Sequence, residues 1–97
     1  MRRLEKSESR RRWAELRDLV NAWDPIGAIA LGSSHDEYDD LVGPILRRLE
    51  GGAKDNEIAS YLEGDASSRY GITFTNTGSF ARQVCEWYDN KWIDTTA

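Results

Sequence analysis

Residues 23–40 read WDPIGAIALGSSHDEYDD, and this stretch decides where one helix ends and the next begins. Pro25 has no N–H and disfavours helical backbone in the residue before it, so it predicts the end of a first helix. Gly27 can then adopt a backbone conformation that is closed to other residues. Ser34, followed three residues later by Glu37, fits a capping box. The pair predicts that a second helix begins at Ser34 or shortly after it.

Apolar side chains recur at helical spacing before this stretch. The stripe of the first helix consists of Trp13, Leu16, Leu19, Val20 and Trp23. Either Ser7 or Ser9 is the predicted N-cap. This pattern predicts an amphipathic helix that ends at Pro25.

A second apolar stripe follows the same stretch and predicts a second helix. It consists of Tyr38, Leu41, Val42, Ile45 and Leu49. The glycine pair Gly51-Gly52 supplies the stop. Gly43-Pro44 lies inside the pattern, and Pro44 cannot donate the backbone hydrogen bond to the Asp40 carbonyl. We therefore expect the second helix to kink or split at this point.

Two more helices are predicted in the second half of the chain. Asp55 is a good N-cap for a third helix, whose inward residues are Ile58, Tyr61 and Leu62. This helix ends either at Gly64 or, after continuing to about Arg69, at Gly71.

The last helix is predicted to follow Asn76 or Thr77 as its cap. Its apolar face consists of Phe80, Val84, Trp87 and Tyr88, and Trp92 closes the stripe. Alternation through Tyr70, Ile72 and Phe74 would suit a strand, but no partner strand is evident, so we expect an extended connector. The sequence thus predicts an all-α fold, a compact bundle of about four helices around an aromatic core.

Length and charge divide the chain into unequal parts. Ninety-seven residues suit one domain, which we place at residues 12–93, with residues 1–11 as a basic arm or helix extension and 94–97 as a frayed tail. Residues 1–12 carry a net charge of +4, whereas the remaining residues carry −8. An acidic body repels nucleic acid and favours a basic partner surface.

Cysteine content and hydropathy indicate a cytoplasmic protein. The single cysteine, Cys85, cannot form an internal disulfide, and the sequence has no secretory apolar segment. No apolar run approaches the roughly 20 residues that a membrane span requires.

The blocks W-D-P-I-G at residues 23–27 and D-E-Y-D at 36–39, followed by an apolar helix, resemble the YugE-like family of small bacterial proteins of unknown function. The segments EIASYL at 57–62 and FARQVCEWY at 80–88 fit the later helices of that pattern. The resemblance covers about residues 12–92. It implies a compact all-helical domain and brings no established activity, cofactor or catalytic residue.

Four carboxylates next to a histidine raise the question of a metal site. His35 and Asp39 are i, i+4 neighbours on a helix, as are Asp36 and Asp40, and oxygen ligands at that spacing can share a cation. However, the sequence lacks a glycine-centred ligand loop and a second His/Cys cluster. Carboxylates in a first helical turn also interact favourably with the helix dipole, each by about 0.3–1 kcal/mol. We therefore predict a helix N-terminus, with no metal and no cofactor.

Catalysis has little support in the sequence. Cys85 and His35 are the only thiol–imidazole pair, and nothing in their spacing brings them together. Cys85 lies beside the apolar stripe of the last helix, where a free cysteine usually behaves as a small buried hydrophobe. The sequence contains no phosphate-binding glycine loop and no nucleophile elbow. We therefore predict no catalytic residues and no enzyme.

The leading hypothesis is a protein-binding module, immunity- or antitoxin-like, that binds a basic partner as a monomer or homodimer. The aromatic residues exceed what four short helices easily bury, and this surplus favours a surface patch ringed by acids. The candidate partner-binding residues are Trp23, Asp24, Asp36, Glu37, Tyr38, Asp39 and Asp40. Two alternatives remain open: a nucleic-acid accessory protein that uses Arg10, Arg11 and Arg12, and a self-associating structural protein.

Overall fold

The fold was established from a computed structural model, which describes residues 6–25, 27, 30–32, 36–71 and 73–92. Within these residues the chain forms four helices and no strand, which confirms the predicted all-α class. The first two helices are α1 (Lys6–Trp23) and α2 (Asp39–Glu50). The third, α3, has three consecutive parts: Asp55–Tyr61, a π-helical turn at Leu62–Ala66, and Ser67–Tyr70. The fourth, α4, is Thr77–Lys91.

The helices pack as two main pairs, α1 against α2 and α3 against α4. The first pair is antiparallel, because Arg17 of α1 contacts Asp39 at the start of α2, whereas Arg12 contacts Glu50 at its end. All four helices contribute to one apolar core, joined by Phe74 from the connector. The most deeply buried members are Leu16, Val20, Tyr38, Leu41, Val42, Ile45, Ile58, Leu62, Ala66, Phe80, Ala81 and Val84.

Only the C-terminal end of α1 matches the sequence pattern. The helix ends at Trp23, one residue before the pair Asp24-Pro25, as predicted. Ser7 and Ser9 lie inside it, so the predicted N-cap is wrong. Stretches with several arginines have good helix propensity, which allows the helix to include residues that the apolar stripe does not mark.

The start of α2 also differs from the prediction. Residues 36–38 form a turn and the helix begins at Asp39, with Tyr38 in the N-cap position. The predicted start near Ser34 is therefore wrong, and Ser34 itself lies outside the described residues. The N-cap residue makes no side-chain hydrogen bond to the helix. Its hydroxyl instead contacts Asp24, so a tertiary contact takes the place of a local cap.

Pro44 lies within α2 without splitting it. The helix continues from Asp39 to Glu50 and buries Ile45 and Leu46 directly after the proline. A proline in a helix interior costs about 3 kcal/mol, so packing of this apolar face must offset the loss. The predicted glycine stop is confirmed: the Gly52 N–H bonds to the Leu49 carbonyl while Gly52 itself has a φ of +88°.

The π-helical turn explains how α3 continues past Gly64 to Gly71. Residues four apart on an ideal α-helix drift by about 40° around the axis at each step. A wider turn reduces this drift, so that Ala66 stays buried in line with Ile58 and Leu62. Gly71, with a φ of +70°, then ends the helix in the left-handed conformation.

The termini of α3 and α4 refine two predicted caps. Lys54, rather than Asp55, occupies the N-cap position of α3, and its N–H donates to the Glu57 carboxylate at 3.2 Å. Asn76 precedes α4 as predicted, but its φ is +57° and it forms no side-chain cap. The segment before it is irregular rather than a strand, and Ile72 lies outside the described residues.

Candidate functional site

The backbone turns sharply at Asp24, directly after α1. Asp24 has a φ of +47°, a left-handed conformation that is uncommon for residues other than glycine, although aspartate is enriched in it. Its carboxylate accepts two hydrogen bonds, from the Tyr38 hydroxyl at 2.5 Å and from the Ala30 N–H at 2.9 Å. Asp24 therefore joins the end of α1, the following loop and the start of α2.

Trp23 and Tyr38 both pack against the core, although Trp23 is only half-buried. The Trp23 ring stacks on Phe80 with centroids 4.1 Å apart, and its Nε1 donates to the Thr75 carbonyl at 2.8 Å. Tyr38 is fully buried. These two residues anchor the connection between the first two helices on the core.

The carboxylates at the start of α2 fall into two groups. Asp39 is engaged within the fold, because its Oδ1 accepts a hydrogen bond from Arg17 Nε at 2.9 Å. Asp36, Glu37 and Asp40 are exposed to solvent. In the part of the chain that the structure describes, neither Glu37 nor Asp40 forms an ion pair.

Tyr70 also belongs to the group of residues at the start of α2, although its position in the sequence did not indicate this. Its hydroxyl, at the end of α3, donates to the backbone carbonyl of Glu37 at 3.2 Å. The pKa of Tyr70 rises to about 12, mainly because of burial, and the negative charges of Asp40 and Glu37 act in the same direction. The two carboxylates thus concentrate negative potential around a half-buried aromatic ring.

One apolar residue stands out in the connection between α1 and α2. Leu31 is 88% exposed, which distinguishes it from the large apolar residues of the core. Its N–H donates to the Gly27 carbonyl at 3.2 Å, and the preceding residue, Ala30, is bonded to Asp24. Because Asp24 also binds Tyr38, the loop that carries Leu31 is connected to the turn that carries Glu37.

The predicted nucleic-acid residues do not form one surface. Arg10 and Arg11 are exposed, but Arg12 retains only 6% of its accessible surface. Arg12 donates to the Tyr88 hydroxyl at 2.9 Å, to Glu50 at 3.4 Å and to the Trp92 carbonyl at 3.3 Å. Its guanidinium also lies 4.8 Å from the centre of the Trp92 ring. Arg12 is thus a structural residue that joins α1 to the ends of α2 and α4.

Cys85 does not have the environment of a nucleophile. Burial raises the pKa of its thiol, and the carboxylates of Asp55 and Asp89 add to the effect. The reactive thiolate is therefore disfavoured at neutral pH. His35, the only imidazole that the sequence offers as a partner for this thiol, lies outside the described residues.

Metal binding and membrane insertion would each require a distinct feature in the described ranges. No group of three or more His, Cys, Asp or Glu side chains in those ranges has an arrangement that could hold a metal ion. No helix among the same residues has the length and hydropathy of a bilayer-spanning segment.

Comparison of the chain with protein-family models, with curated proteins and with solved structures gives no match. The resemblance to the YugE-like family therefore stays a prediction.

Proposed function

We propose that this protein is a non-enzymatic protein-binding module that uses the exposed start of α2 to bind a basic surface on another protein. The observation that carries the proposal is the pair Glu37 and Asp40, two exposed carboxylates without an ion pair in the described structure. Asp36 adds a third exposed carboxylate next to them. A basic partner would supply the missing counter-charges and would be attracted over a distance.

Leu31 supports a docking surface rather than a merely solvated acidic turn. Binding energy at protein interfaces is concentrated in a few apolar or aromatic anchors surrounded by a polar rim. Leu31 would provide the anchor, and Glu37 with Asp40 would provide the rim. Asp24 contributes indirectly, because its hydrogen bonds fix the loop relative to α2.

In its sharper form, the module is immunity- or antitoxin-like and covers a basic toxin or nuclease in the bacterial cytoplasm. The net charge of −8 over residues 13–97 supports a cationic partner. The raised thiol pKa of Cys85 supports a role without covalent catalysis. Membership of the YugE-like family, an all-helical family without an established activity, would be compatible with this role.

The nucleic-acid alternative loses part of its support because Arg12 is buried and engaged by three acceptors. Arg10 and Arg11 alone offer two exposed charges, whereas typical nucleic-acid interfaces neutralise several phosphates. We therefore advance protein binding as the single proposed function.

A charge-reversal pair tests the proposal. The partner is first isolated by affinity capture and identified by mass spectrometry, and its Kd is then measured at several salt concentrations. Reversal of Glu37→Lys and Asp40→Lys should weaken binding about 10- to 100-fold at low salt, because two attractive contacts become repulsive. The effect should shrink as salt increases.

The matched control is Asp18→Lys with Asp65→Lys, which changes the net charge equally at two exposed positions elsewhere. If both double variants bind with the same Kd, the partner senses only the overall charge and the proposed surface is wrong. Circular dichroism of both variants verifies that the helices are retained.

A further inference from the structure

A groove lies at the opposite end of α2, where this helix meets the start of α3 and one face of α4. Its volume is about 380 Å³, near the lower end of the range of about 300–1,000 Å³ for small-ligand pockets. Its floor is formed by the buried or half-buried residues Leu49, Ala53, Cys85 and Tyr88. The Sγ of Cys85 lies 4.0 Å from the Ala53 carbonyl oxygen.

The rim of the groove carries more acids than bases. The acidic residues are Asp55, Glu86 and Asp89, and the basic residues are Lys54 and Arg82. Within the described residues these five side chains form no ion pair with one another.

The pKa of Cys85, at the floor of the groove, depends on the charges around it and so indicates the sign of the electrostatic potential there. Burial raises the pKa of Cys85, and the carboxylates of Asp55, Asp89 and Glu57 raise it further, whereas Lys54 lowers it. The acids therefore dominate the electrostatics above the floor.

We propose that this groove binds the side chain of a lysine presented by a basic protein segment. A lysine combines a four-carbon apolar stem with a terminal ammonium, and such side chains commonly lay the stem on apolar surface while the charge reaches a polar edge. Leu49 and Ala53 provide that surface, and Asp55 with Asp89 provides carboxylates for the ammonium. A lysine side chain can therefore contact both the apolar surface of the floor and the carboxylates of the rim.

The groove is separate from the surface proposed above. α2 has 12 residues and therefore places the two regions about 18 Å apart along its axis. The lysine site can exist whether or not Glu37 and Asp40 bind a partner. The two proposals can thus fail independently.

The test uses the whole chain labelled with ¹⁵N and two small probes in an NMR titration. N-acetyl-L-lysine methylamide should produce saturable shifts in the amide signals of Ala53, Cys85 and Tyr88. N-acetyl-L-norleucine methylamide has the same stem without the ammonium and should bind at least about threefold more weakly. Equal binding of the two probes, or no shift with either, would overturn the proposal.

Neutralisation of the rim provides the second arm. The double variant Asp55→Asn/Asp89→Asn should raise the Kd for the lysine probe roughly three- to tenfold. The control variant Asp18→Asn/Asp65→Asn has the same charge change outside the groove and should leave the Kd unchanged. Equal Kd values in the two variants would contradict the assigned carboxylates.

A third probe, N-acetyl-L-glutamate methylamide, tests the opposite charge preference. If it binds more tightly than the lysine probe, Lys54 and Arg82 determine the ligand and the proposal is wrong.

Discussion

Each end of α2 lies next to a hydrogen bond that involves a tyrosine hydroxyl, which is the donor at one end and the acceptor at the other. At the start, the Tyr38 hydroxyl donates to the Asp24 carboxylate, and the two residues are 14 positions apart. At the end, the Tyr88 hydroxyl accepts from Arg12 across 76 positions, next to Glu50. The first contact is close in sequence and next to a proline turn. The second joins α1 to α4, and no local signal marks it.

This difference separates two kinds of polar burial. A local network such as that of Asp24 has fewer residues to order, and it compensates a strained backbone at the same position. A long-range network such as that of Arg12 can form only when three helices are already in place. We therefore expect the second network to report on the whole tertiary structure and the first to report on one junction.

The largest expected effect comes from removal of Arg12. Arg12→Ala deletes hydrogen bonds to Tyr88, Glu50 and the Trp92 carbonyl, together with packing on two aromatic rings. The free energy of unfolding should fall by about 2–4 kcal/mol, as measured by urea denaturation. Arg11→Ala, at the adjacent exposed position, should cost less than about 1 kcal/mol. Similar losses in both variants would contradict a special role for the buried guanidinium.

The next largest effect is the loss of unfolding free energy when either tyrosine hydroxyl is removed. Tyr38→Phe removes a hydrogen bond to a carboxylate and should cost about 1.5–3 kcal/mol. Tyr88→Phe removes one of three acceptors around Arg12 and should cost about 0.5–1.5 kcal/mol. Both variants keep the ring, so denaturation midpoints at constant slope isolate the hydroxyl. The reverse order would show that the long-range network, rather than the local one, depends more on its tyrosine.

The smallest expected effect is the pH dependence of stability due to Tyr70, which lies beside the start of α2. The pKa of Tyr70 is raised from the ordinary value near 10 to about 12, so the folded state resists its ionisation. Its stabilising contribution is complete below pH 10 and is lost as pH rises from 10 to 12. An absorbance titration near 295 nm, with Tyr70→Phe as the reference, should identify this late transition.

The same titration examines the acids beside Tyr70. Asp40→Asn with Glu37→Gln should lower the pKa of Tyr70, because two nearby negative charges are removed. Burial should still keep it above the ordinary value. An unchanged titration would place both carboxylates too far from the ring to act on it.

Sequence reasoning predicted the features that depend on neighbouring residues. Pro25 ended α1, Gly52 ended α2, and the apolar spacing identified most of the core. These signals act through backbone geometry or helical periodicity, and both depend only on residues within a single segment of the chain. The fold class could therefore be predicted from local patterns alone.

The features that the sequence did not predict depend on distant partners. By composition Arg12 belongs with the basic residues at the start of the chain, yet it is buried and donates to acceptors on α2, on α4 and at Trp92 directly after α4. Ser34 and Glu37 matched a capping box, but the Tyr38–Asp24 contact accompanies a helix start at Asp39. Tyr70 entered the candidate site only through the position of α3. In each case a tertiary contact outweighs the local preference.

The π-helical turn at Leu62–Ala66 has a consequence for the tolerance of this chain to insertions and deletions. A single residue removed from an ordinary α-helix rotates everything beyond it by about 100° and turns its apolar stripe away from the core. A π turn, by contrast, already contains more residues per turn than an α turn needs. The loss of Gly64 could be absorbed as a change from π to α geometry, with Ala66 still facing inward. We therefore expect the middle of α3 to tolerate the loss of one residue better than the middle of the uninterrupted α4, where the same loss would turn the apolar stripe away from the core.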